Sequence, residues 1–103
     1  HMAEARYRAT VLRAFGQVTN AYADVEAAQG EYEAQQEALL LAEQSARLAR
    51  RAYEVGAGTL PEVLDSQRRV SLSRRESART AGARLTSLVR LHSAIAAPSV
   101  LDD

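Results

Sequence analysis

Along the first half of the chain, apolar and small residues recur at alternating steps of four and three. The stripe runs Tyr7, Val11, Phe15, Val18, Tyr22, Val25 and Tyr32, then Gln35, Leu39, Ala42, Ala46, Ala49 and Tyr53. The steps average ~3.5 residues, the period of a seam in a left-handed coiled coil. They predict one helix over about residues 4–54. No proline interrupts it, and Gly16 and Gly30 each weaken it by about 1 kcal/mol relative to alanine. Unbroken, such an arm would be on the order of 75 Å long at ~1.5 Å per residue. A second stripe follows through Leu60, Leu64, Gln67, Ser71, Arg74, Ala78, Ala81, Leu85, Leu88, His92 and Ile95, flanked by Val63, Val70 and Leu91. It predicts a helix over about 60–97, with a polar middle to its seam. Pro98 disfavours helix at the residue before it, so the helix is expected to end at Ala97, leaving 98–103 as a short acidic tail.

Residues 55–59 separate the two arms. Gly56 and Gly58 supply backbone that can end a helix in a left-handed residue. Thr59 then offers a hydroxyl to the next helix, and Glu62, three residues on, can reach back to the Thr59 N–H in a reciprocal capping box. Pro61 falls in the first turn, where its missing N–H costs nothing. One helix stops and another starts within about five residues, which makes the pair antiparallel. The expected fold is all-α, a long antiparallel helical hairpin of coiled-coil type.

Charge supports the pairing. Between Ala14 and Ala46 there are six acidic residues and no basic one, whereas Arg47 to Arg90 carries ten arginines against Glu54, Glu62, Asp65 and Glu76. Folding about the tip sets position i beside roughly position 115 minus i. Arg74, Arg75, Arg79, Arg84 and Arg90 then face Glu43, Glu37, Glu31, Glu26 and Asp24. Exposed pairs contribute only ~0.2–1 kcal/mol each, so the asymmetry selects the pairing more than it stabilises it. The first arm is longer, which leaves Tyr7, Val11, Leu12 and Phe15 without a partner in the second. An under-buried two-helix pair of this kind is expected to self-associate as a four-helix bundle, an antiparallel dimer.

Composition narrows the function classes. A chain of 103 residues with 47% hydrophobic but only 5% aromatic residues, alanine foremost, suits close-packed helices rather than a thick core. Zero formal net charge gives no general pull toward nucleic acid or anionic lipid. Cysteine is absent, which excludes disulfides and thiol chemistry. No apolar run approaches a membrane span, so no direct membrane insertion of this stretch is expected. His1-Met2 reads as a cloning remnant ahead of an excised piece, 3–97, of a longer parent. His92 is the one internal histidine and has no acidic residue three or four positions away, and no Glu-x-x-His occurs. Catalytic, cofactor and metal sites are accordingly expected to be absent.

Two segments point further. Tyr53-Glu54-Val55-Gly56-Ala57-Gly58-Thr59-Leu60-Pro61-Glu62-Val63-Leu64-Asp65-Ser66-Gln67-Arg68 resembles the tip signature of the TolC-like outer-membrane efflux proteins, Y-x-x-G followed by [DE]-V-L-D-A-Q. Tyr7-Arg8-Ala9-Thr10-Val11-Leu12-Arg13-Ala14-Phe15-Gly16-Gln17-Val18 is similar to the same family's Y-R-x-T-V-L-x-A-F-Q-E-V segment, and Ala83 to Ala96 resembles its closing helix. The resemblance implies one periplasmic α-barrel hairpin of a homotrimeric outer-membrane channel. It implies a tip (Val55, Gly56, Ala57, Gly58, Thr59 and Leu60) that docks on the hairpin of a periplasmic adaptor. It also implies a gated mouth to which Glu62 and Asp65 contribute, and an inner-membrane pump as indirect partner. Gly58 stands where some members carry a basic latch residue, Ser66 replaces the usual Ala, and the L-G-G-G-W ending is missing. From the residues alone, Glu62 and Asp65 share one face of the first turn of their helix. Repeated by symmetry they would ring a constriction with negative charge; equally, both complement the dipole of their helix. Two alternatives stand beside the channel hairpin: the coiled-coil hairpin of an adaptor, and an unrelated dimeric helical interaction module.

Overall fold

The computed structural model describes residues 2–101, and side chains from 2 to 96. It contains helix α1, Met2–Glu54, and helix α2, Leu60–Leu101, and among the described residues no strand. α1 is continuous from its first turn, so the Tyr7–Phe15 segment extends the helix and does not fold back. α2 runs past the stop expected at Ala97. The expectation rested on a preference of the residue before a proline, which disfavours helix there but does not forbid it. Asp102 and Asp103, the charged part of the expected tail, lie outside the described residues.

The chain divides into two compact units, one formed by Gly30–Gly82 and one by the flanking segments. In Gly30–Gly82 the two helices lie antiparallel in the expected register. Gln36 Nε2 donates to Ser77 Oγ at 2.7 Å, and Arg74 meets Glu43 at 3.7 Å. The α1 side of this seam is Tyr32, Gln35, Leu39, Ala42, Ala46 and Ala49, all half-buried, as the periodicity predicts. The α2 side differs. Val63, Ser66, Val70, Ser77 and Thr80 are buried, with Ser73 half-buried, whereas Leu60, Leu64, Gln67, Ser71, Arg74 and Ala78 are exposed. The four-three rhythm of the sequence is kept, but the buried stripe lies one residue earlier, about 100° around the helix.

The chemistry of the seam explains this phase. Ser66 Oγ donates to the Val63 carbonyl at 2.7 Å, and Thr80 Oγ1 to the Ser77 carbonyl at 2.9 Å. A hydroxyl bonded back into its own helix needs no partner across the seam, so Ser66 and Thr80 act as small space-fillers, while Ser77 accepts across it from Gln36. Against an alanine-rich α1, small residues let the backbones approach to native packing density.

In the flanking unit the same rhythm continues. Val18, Val25 and Ala28 on α1 are half-buried with Ala21 buried; on α2, Ser87 is buried beside half-buried Arg84, Leu91 and Ala94. Arg84 donates to Gln29 Oε1 at 3.3 Å, and Ser87 Oγ to the Arg84 carbonyl at 2.7 Å. Tyr7, Val11, Leu12 and Phe15 are exposed, as are Leu85, Leu88 and Ile95.

Of the five inter-arm ion pairs expected from charge, Glu43–Arg74 forms. Arg79 binds Glu76 on its own helix instead, with Nε 2.9 Å from Oε1. An intrahelical partner one turn away costs less side-chain ordering than one across the seam. The hydrogen bond from Arg79 holds the Glu76 carboxyl below its ordinary pKa, opposed by desolvation and reinforced, less strongly, by the guanidinium's charge. In turn the bond to Glu76 holds the Arg79 guanidinium above its ordinary value.

Candidate functional site: the hairpin tip

α1 ends in a complete Schellman closure. Gly56 takes φ +78°, the one left-handed residue among those described, and its N–H donates to the Tyr53 carbonyl at 3.1 Å. The Ala57 N–H reaches the Ala52 carbonyl at 2.8 Å, and the Gly58 N–H shares that acceptor at 2.9 Å. Gly58 is required for a different reason from Gly56. Its φ is not left-handed, but a Cβ there would lie 3.0 Å from Ala52 Cβ and 3.2 Å from the Tyr53 nitrogen. The reading that both glycines supply left-handed backbone therefore holds for Gly56 only; Gly58 permits close approach of the chain to the helix it has just left.

α2 opens on the reciprocal cap. The Glu62 N–H donates to Thr59 Oγ1 and the Thr59 N–H to Glu62 Oε2, both at 3.4 Å. Pro61, in the first turn, withholds an N–H that would have had no partner inside the helix. Two caps back to back thus close the orphan backbone groups within five residues, 55–59. This leaves a firm knob whose apolar side chains point outward: Val55 is 78% exposed and Leu60 48%. Gly56, Ala57 and Thr59 are exposed between them, and Gly58 is half-buried beneath.

The two acids behind the knob are not equivalent. Glu62 is exposed and engaged in the cap. Asp65 is half-exposed and meets Arg68 at 3.3 Å and Arg69 at 3.0 Å. These arginines were not singled out as site residues in the sequence, although their offsets of three and four from Asp65 are the spacing at which helix neighbours pair. Ser66, the departure from the family's usual Ala, is buried at the start of the seam. Its hydroxyl is absorbed by the helix backbone, so it takes an alanine's place without leaving a polar group unsatisfied. Among the described residues no cluster of metal-ligating side chains occurs, and no helix is long and apolar enough to cross a membrane.

A model of the outer membrane efflux protein family matches residues 1–97, which takes in both helices and the tip. The chain belongs to the outer membrane efflux protein family. No curated protein and no solved structure matched it. Membership makes the chain a component of an outer-membrane efflux channel, a transport role served in general by tripartite pumps. It also favours the channel reading over the adaptor hairpin, the nearest alternative on sequence.

Proposed function

We propose that this chain is the periplasmic helical hairpin of an outer-membrane export channel, and that its tip docks on the hairpin of a periplasmic adaptor. The observation that carries the reading is the tip itself. Val55 and Leu60 stand exposed on a turn held rigid by the caps on either side. A pre-ordered apolar knob loses little conformational freedom on binding, which is how small contacts gain affinity. In the complete system an inner-membrane pump would meet this hairpin only through the adaptor. The test is binding of the chain to an adaptor hairpin from the same organism. Val55→Asp and Leu60→Glu are expected to weaken it at least about tenfold, since each places a charge in a desolvated contact. Binding unaffected by both, in variants of unchanged helicity, would refute tip docking.

At the mouth of the assembled channel, Glu62 and Asp65 would contribute negative charge repeated by threefold symmetry. Arg68 and Arg69 beside Asp65 temper that ring. Conductance of the full-length channel tests this: Asp65→Asn should lower cation preference, and an unchanged preference would remove Asp65 from the gate. The outward leucines also support self-association of the isolated chain as an antiparallel four-helix dimer. Sedimentation giving a folded monomer at micromolar concentration would overturn that part of the proposal.

A further inference from the structure

Behind the tip, in the Gly30–Gly82 unit, a groove of about 510 Å³ lies between the helices. Arg47 and Arg50 on α1 and Arg74 on α2 line it, with Gln67 and Ser71 as neutral donors and Glu43 as the lone carboxylate. Other guanidiniums nearby are taken: Arg68 and Arg69 by Asp65, and Arg79 by Glu76. The groove arginines differ. The side chains of Arg47 and Arg50 make no hydrogen bond or ion pair among the described residues. Arg74 meets Glu43 at 3.7 Å, a charge contact too long for a hydrogen bond, so its donors remain available.

We propose that this groove binds a small phosphate-class oxyanion. Three guanidiniums against one carboxylate leave the lining at a net charge of about +2. Arg47 and Arg50, three residues apart, also repel each other along one helix face. A dianion between them removes that repulsion and gains charge-assisted bonds from forks on both helices. A monocarboxylate is satisfied by one fork. A phosphoryl group, with three or more oxygens, uses several, which selects phosphate chemistry over carboxylate. The groove is solvent-accessible, so affinity falls with salt as surface electrostatics require.

The experiment is calorimetric titration of the full chain with sodium pyrophosphate at fixed ionic strength, with sodium acetate as comparison. Saturable binding is expected for pyrophosphate and not for acetate. Arg47→Gln/Arg50→Gln should weaken it about tenfold or more, as expected when hydrogen bonds from charged donors are lost. Arg68→Gln/Arg69→Gln, outside the groove, should change it less than about twofold. Arg74→Lys, which keeps the charge and loses the fork, serves should the double variant lose helicity; it should weaken binding severalfold. Absence of saturation, equal binding of acetate, or equal losses in the groove and control variants would each overturn the site.

Discussion

Alanine at Gly56 and at Gly58 should fail for different reasons, and asparagine separates them. At Gly56 a built Cβ meets nothing within 4 Å, so the cost is only that of holding an L-residue at φ +78°. That is about 1–2 kcal/mol for alanine, and less for asparagine, which visits this region more readily. At Gly58 the Cβ would press on Ala52 Cβ at 3.0 Å, the Tyr53 nitrogen at 3.2 Å and the Ala52 carbonyl carbon at 3.3 Å. Two of these are backbone atoms in the last turn of α1, where the Ala52 carbonyl accepts from both Ala57 and Gly58. Relief of the clash must lengthen one of those bonds, and overpacking of this kind costs about 1–3 kcal/mol. The assay is thermal and urea unfolding by far-UV circular dichroism at one fixed protein concentration, because any association moves the midpoint. For a domain of this size each kcal/mol is about 4–8 °C of Tm. Gly56→Asn should recover part of the Gly56→Ala loss, while Gly58→Asn should be no better than Gly58→Ala. Rescue by asparagine at both positions, or a silent Gly58→Ala, would refute the close-approach account of Gly58.

Further outcomes follow from the same geometry and are read by the same unfolding assay. Thr59→Ala should cost about 0.5–2 kcal/mol, and Glu62→Ala should cost more than Glu62→Gln, since glutamine can still close the box. Thr80 is 1% exposed with its hydroxyl spent on its own helix, so Thr80→Val should be neutral or stabilising by up to about 1 kcal/mol. A clear loss there would mean the hydroxyl has a partner across the seam. Glu76, held below its ordinary pKa by Arg79, contributes stability that is present above its unfolded value and lost as pH falls through its folded value. Glu76→Gln should therefore flatten the acid limb of the stability–pH profile and leave the alkaline limb unchanged.

Much of this fold was legible in the residues. Gly56, Thr59, Pro61 and Glu62 each have a local job that sequence spacing reveals, because a cap is made by neighbours along the chain. The seam of α1 was legible from Tyr32 to Ala49, where the stripe's positions are the half-buried ones; Tyr22 and Tyr53, on the same stripe, are exposed, and the buried Ala21 lies beside it. On α2 the two signals part. Leu60, Leu64, Leu85 and Leu88 mark a stripe by size, yet the neighbouring stripe of Ser66, Ser77, Thr80 and Ser87 is the covered one. Periodicity fixes the rhythm but not the phase when serine serves as packing, since hydropathy scores its hydroxyl as polar whether or not the helix absorbs it. The partner of Asp65 was within reach at offsets of three and four. The groove was not, because it depends on which arginines on two helices share one side.

That phase has an energetic consequence. Burying a leucine fully is worth about 1.5–3 kcal/mol, while a serine bonded to its own helix adds almost nothing beyond contact. Beside Val63 and Val70, the hairpin therefore fills the α2 side of its seam largely with serine and threonine and holds most of its leucines outside. Leu40, Leu41, Leu48, Leu64 and Leu72 are all exposed within the Gly30–Gly82 unit. A chain selected to stand alone would reverse that choice, since one residue of rotation in α2 would bury Leu64 in place of Val63. A stave in a ring of staves gains from it, because each outward leucine is satisfied only when a neighbour arrives. Stability should then depend steeply on protein concentration, and Leu64→Ser with Leu72→Ser should remove that dependence while leaving the dilute chain's helicity unchanged. If the double variant unfolds equally at every concentration, those leucines support the hairpin from within and the outward assignment of the α2 stripe is wrong.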